Sequence, residues 1–194
     1  MREVFYTACF LLTVVFFGSC NGAGKYEEKE KTLDSLSGAI NSIVKELKNC
    51  DTLVLQRSIA RYTWYRQFIE QNVSDTISRE EADNLQHFYT SGKTLENFSQ
   101  NRKVILARSV LVNSQLLELA KDIKNKTMSP EQLSEYTQYE KKQAAILIEA
   151  GYEQQKKLHA GLEEFKNSLK GVELLIRSRN KGELPTIIKD TVSL

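Results

Sequence analysis

Proline is almost absent from this chain: among 194 residues it occurs only at Pro130 and Pro185. Inside a helix a proline removes a hydrogen bond and clashes with the preceding turn, so a chain without it can sustain very long helices. Apolar residues repeat with the period such helices need. Leu33, Leu36, Ile40, Ile43, Leu47 and Cys50 fall at alternating steps of three and four, which lines one side of a packed helix. Beyond Asp51-Thr52 the stripe continues through Leu55, Ile59, Tyr62, Tyr65 and Ile69 to about Asn72. Asp51 either caps a fresh helix or sits in a kinked continuous one.

A connector of cap-forming residues follows, Val73 to Ile77, and Ser78 with Glu81 makes a capping box. The second stripe runs Phe88, Ser91, Leu95, Phe98, Arg102, Ile105, Ser109, Val112, Leu116, Leu119 and Ile123, with Ser91, Arg102 and Ser109 polar at seam positions. Thr90-Ser91-Gly92-Lys93-Thr94 is a poor helix former and a possible break, but continuity is favoured because the spacing is kept. Ser129-Pro130-Glu131-Gln132 supplies an N-cap, a proline at the first helical position and Gln at the third, the clearest helix start in the chain. That helix is expected to reach about Arg179, with Leu158, Leu162, Phe165, Leu169, Val172 and Ile176 along its seam and Ala144, Ala145, Ala150 and Gly151 permitting close approach.

Stripes of this kind can be buried only against one another, and short loops force neighbours to run antiparallel. The sequence therefore predicts an all-α fold: an elongated antiparallel three-helix bundle with coiled-coil-like packing, each helix roughly 70 Å long at 1.5 Å per residue. Real turns at Asp51 or Gly92 would make it a four- or five-helix bundle.

The N-terminus has a different grammar. Met1-Arg2 precedes a nearly continuous apolar run from Val4 to Phe17, then Gly18-Ser19-Cys20-Asn21 and the charged Lys25-Tyr26-Glu27-Glu28-Lys29. The run is short for a bilayer about 30 Å thick, which needs roughly 20 apolar residues. A basic start, an apolar middle and a small-residue exit are what a secretory signal requires.

Phe17-Gly18-Ser19-Cys20 resembles the lipobox of a bacterial lipoprotein precursor, in which small residues precede a Cys that is acylated and becomes the mature N-terminus. Gly18 and Ser19 fit the small positions, and Phe17 stands where Leu is usual. The resemblance covers about the first tenth of the chain. It implies lipidation at Cys20, with more than one acyl chain and hence stable anchoring in the cell membrane or the outer membrane; Asn21, in place of the Asp that favours inner-membrane retention, leans toward the outer. The implied organisation is a signal peptide over 1–19, a lipidated Cys and flexible tether over 20–30, a helical bundle over 31–180 and a tail over 181–194. The alternative is an ordinary cleaved signal ending near Ala23 or Gly24 and a soluble secreted product. With Cys9 removed and Cys20 acylated, Cys50 is left alone, as a small core hydrophobe rather than half of a disulfide.

Few chemistries find support in the residues. Lys and Arg number 27 against 25 Asp and Glu, a balance that gives no electrostatic reason to expect nucleic acid. Ser91-Gly92-Lys93-Thr94 has the ending of a phosphate-binding loop, but His87 stands where the motif needs its first Gly and no strand precedes it. His87 and His159 belong to no metal-ligand motif; His159 and Glu163 share a helix face as a surface pair. No metal, cofactor or enzymatic activity is expected. One local cluster suits partner binding: Trp64 and Phe68, four apart, lie beside Arg57 and Arg61, where an arginine could stack on the indole. The competing expectation is that this face packs inside the bundle. The sequence thus points to a membrane-anchored envelope lipoprotein, a structural or protein-interaction helical module with an envelope protein as its partner. A secreted helical effector or carrier is the alternative.

Overall fold

A computed structural model describes residues 20–74 and 76–185, with side chains from Tyr26 onward. Over those residues the chain is all-α, with four helices: α1 (Cys20–Lys48), α2 (Thr52–Asn72), α3 (Arg79–Asn125) and α4 (Pro130–Arg179). The break at Asp51 is therefore real, and four helices replace the three expected. Asp51 Oδ1 accepts from the Val54 amide at 2.9 Å and so caps α2. Gly92 does not break α3, which runs unbroken for 47 residues.

The tether expected over residues 20–30 is instead the beginning of α1. Its Glu and Lys residues are good helix formers, and Glu27 and Lys31 pair one turn apart at 2.8 Å. The leader residues 1–19, including Phe17, Gly18 and Ser19, and the tail residues 186–194 lie outside the described residues.

The other helix starts fall where the sequence places them. The Ser78 amide donates to Glu81 Oε2 at 2.7 Å and the Glu81 amide to Ser78 Oγ at 3.2 Å; those bonds hold the Glu81 carboxyl below its ordinary pKa. Ser129 and Gln132 exchange the same two bonds at 3.1 and 3.3 Å. At its end α3 turns through Lys126, in the left-handed region at φ 52°, with the Thr127 amide returning to the Asp122 carbonyl.

The chain divides into two units. In the first, α1 up to Ile43 packs with the part of α3 from Arg108 and the part of α4 up to Ile148. Its core holds Leu33, Ile40, Ile43, Val112, Leu116 and Leu147. Between α1 and α3 the Ser37 hydroxyl and the Asn41 side chain meet the Asn113 amide group at 3.1 Å each. Glu140 also lies in this unit, only 8% exposed, and its Oε2 has no hydrogen-bond partner. Burial raises its pKa.

In the second unit α2 packs with the N-terminal part of α3 and the C-terminal part of α4. The core is aromatic: Phe88 stacks on Phe165 with ring centroids 5.4 Å apart and meets Tyr62 at 5.4 Å and Tyr65 at 6.4 Å. Gly92 sits against this cluster, and a Cβ there would overlap the Tyr62 ring. The glycine that weakens the helical signal is thus what lets the ring approach the α3 backbone.

Hydrogen bonds explain two of the polar seam residues. Arg102 Nε donates to the Leu47 carbonyl at 2.7 Å, so it satisfies an acceptor at the C-terminal end of α1. The Ser91 hydroxyl donates back to the His87 carbonyl at 2.7 Å, which lets it be buried without an orphaned group. Ser109 is buried on the same seam.

Candidate interaction surface

The four residues singled out from the sequence lie on α2, in the second unit, but do not form one exposed patch. Arg57 and Arg61 are exposed, whereas Trp64 and Phe68 are half-buried. Helix geometry explains the division. Tyr62, Tyr65 and Ile69 take the fully buried positions, and Trp64 and Phe68 fall beside that stripe rather than opposite it. The competing expectation, that the face packs within the bundle, holds in part.

Cation–π contact on this helix involves a different pair. The Arg66 guanidinium lies 5.2 Å from the Tyr62 ring centroid, and its Nη1 donates to the Tyr62 hydroxyl at 3.4 Å. Arg66 also approaches Glu70 at 3.9 Å on the surface, a contact worth little in water. Arg61 instead belongs to the surroundings of Tyr65. The Tyr65 hydroxyl donates to Glu173 Oε1 at 3.0 Å. Burial, with the Glu173 carboxylate reinforcing it, pushes the phenol up to about 12, and Arg61 and Arg177 oppose that shift. The outcome is an anchoring bond between α2 and α4.

A second constellation had no local trace in the sequence. His87 Nδ1 on α3 lies 2.7 Å from Glu164 Oε1 on α4, 77 residues away. The pair opens onto a shallow cleft of about 480 Å³ with Asn84, Glu163, Asn167 and Ser168 on its walls. Of the carboxylates near the histidines it is Glu164, not Glu163, that forms this bond. A carboxylate holding an imidazole is one element of acid–base chemistry, but the chemistry also needs a nucleophile in reach. The Ser168 hydroxyl on the cleft wall donates to the Phe165 carbonyl at 3.1 Å.

The first unit has a cleft of its own, about 650 Å³, between the start of α1 and the start of α4. Tyr26, Lys29 and Thr32 face Leu133, Thr137 and Lys141 across it. Cys50 is a free thiol, partly exposed, just after α1. Among the described residues no group of three or more His, Cys, Asp or Glu is placed to hold a metal ion, and no helix is long and apolar enough to cross a membrane.

No family model, curated protein or solved structure matches this chain. The residues described here therefore stand on their geometry alone. Among the described residues that geometry comprises two open clefts, an aromatic core with two half-buried aromatics at its margin, and long helix faces.

Proposed function

We propose that the protein is a lipid-anchored envelope lipoprotein, tethered through Cys20, whose helical bundle binds another envelope protein. The observation that carries the reading is the leader: an apolar run too short to span a bilayer, ending at Phe17-Gly18-Ser19-Cys20. The bundle is compatible with such a role because its clefts are shallow and its long helices present extended surface. Recognition of a macromolecule needs area and shape rather than an enclosed pocket. Arg57 and Arg61, with the margins of Trp64 and Phe68, form a partner-binding edge on α2.

Metabolic labelling with palmitate, followed by membrane fractionation, tests the anchor. The wild-type chain is expected to take up label and to sediment with membranes, and Cys20→Ala to lose both. Unlabelled wild-type protein recovered from the medium would instead establish the secreted effector or carrier. A Cys20→Ala variant that still fractionates with membranes would remove the anchor from the account.

A further inference from the structure

The solvent face of α3 between Lys103 and Glu118 departs from the rest of the surface. At 100° per residue, Val104, Ala107, Val110, Leu111, Ser114 and Leu117 fall opposite the buried seam of Ile105, Val112, Leu116 and Leu119. All six are exposed, and the four large ones keep 58% to 69% of their surface in water. The single charge in that stretch, Arg108, turns aside to donate to Gln143 at 2.7 Å. On α4 the exposed apolar residues Tyr139, Ile146 and Tyr152 are instead interspersed with charge, at Lys141, Lys142, Glu149, Glu153, Lys156 and Lys157. Solvated helix faces are ordinarily polar, and a helix apolar on both sides is one that is covered on both sides.

Charge at the two ends of the face identifies what covers it. Lys103 closes one end and Glu118 the other, both exposed. We propose that this face of α3 is a homodimer interface, in which a second copy packs antiparallel about a two-fold axis crossing the helix between Val110 and Leu111. That axis brings Lys103 of each copy onto Glu118 of the other, so two equivalent ion pairs bracket the contact. It also sets Val104 against Leu117, Val110 against Leu111, and Ala107 against Ser114, whose small side chains allow the helices to approach. A parallel pair would set Lys103 against Lys103 and Glu118 against Glu118, which disfavours it. The interface is isologous, as a closed dimer requires. Built on one helix face, it falls at the small end of stable interfaces, and the association is a reversible, concentration-dependent one. It belongs to α3 alone and is independent of the anchor at Cys20.

Sedimentation equilibrium of the purified protein over a wide concentration range tests this, in a Cys20→Ala background so that association through acyl chains plays no part. The parent is expected to show a monomer–dimer equilibrium, and Leu111→Lys to be monomeric throughout. Lys103→Glu and Glu118→Lys, each of which turns two attractive pairs into two repulsive ones, should each weaken dimerisation by about tenfold. Combining the two in one chain should restore it. Circular dichroism melts establish that the variants, all at exposed sites, remain folded. A parent that stays monomeric at every concentration overturns the proposal, as does a dimer indifferent to Leu111→Lys. Failure of the double charge swap to recover what the single swaps lose overturns the antiparallel register.

Discussion

Replacing Gly92 with alanine should destabilise the protein, against the ordinary preference of a helix interior. In an open helical site the change gains about 1 kcal/mol, because glycine has more backbone freedom to lose. Here the added methyl would overlap the Tyr62 ring. That ring is 3% exposed, 5.4 Å from Phe88 and 6.4 Å from Tyr89 between ring centroids, with Arg66 lying over it. It cannot retreat without displacing neighbours. Overpacking a filled core costs about 1–3 kcal/mol, and overlap with several ring carbons at once places this site at the upper end. The net expectation is a loss of about 2 kcal/mol. Urea titration followed by far-ultraviolet circular dichroism measures it as a lowered midpoint at unchanged slope. Gly38 is the internal control: it is exposed on α1 with nothing near its would-be Cβ, so Gly38→Ala should gain about 1 kcal/mol. In a Tyr62→Ala background the sign at Gly92 should reverse, since the obstruction is gone. If Gly92→Ala stabilises the wild-type protein as Gly38→Ala does, the packing account of that glycine is wrong.

Two other perturbations probe polar groups. Glu140 is buried with one unpartnered oxygen and a raised pKa, so the folded state holds its proton to higher pH than the unfolded state does. Its penalty is therefore absent below the ordinary carboxyl value of 4.5 and develops as pH rises through the folded value. The stability advantage of Glu140→Gln over wild type should grow across that window and then level off, and Glu140→Leu should gain about 1–3 kcal/mol at neutral pH; urea titrations at stepped pH measure both. Asp51→Ala removes the bond to the Val54 amide and should cost about 1 kcal/mol, whereas Asp51→Ser should retain most of it.

Much of the fold was legible because the signals that determine it are local. Every residue of the second stripe proved buried except Arg102, which is partly so. The capping boxes at Ser78 and Ser129 form the bonds their residues imply. The undecided points were those settled by distant residues. The stripe runs through Asp51 almost without a change of phase, so its capping role could not be separated from a kink. Continuity through Gly92 was favoured on spacing alone, because the reason for a glycine there, the Tyr62 ring, lies 30 positions away on another helix. The surface was less legible than the core. Trp64 and Phe68 sit at the margin of a buried stripe, where a shift of a few tens of degrees separates contact from exposure. His87 and Glu164 meet only because α3 and α4 are antiparallel in their unit, and nothing near either residue announces it. The exposed apolar face of α3 is masked in the sequence by the seam itself: in a helix apolar on two sides, the outward residues blur the inward periodicity.

The bond from Arg102 to the Leu47 carbonyl has a kinetic corollary. The group it satisfies lies 55 residues earlier in the chain, so the elbow after α1 gains that partner only once α3 has docked. Capping by Asp51 needs just one turn of α2 and can form within the isolated segment. The elbow should thus acquire its direction early and its rigidity late, with Arg102 affecting the unfolding rate more than the refolding rate.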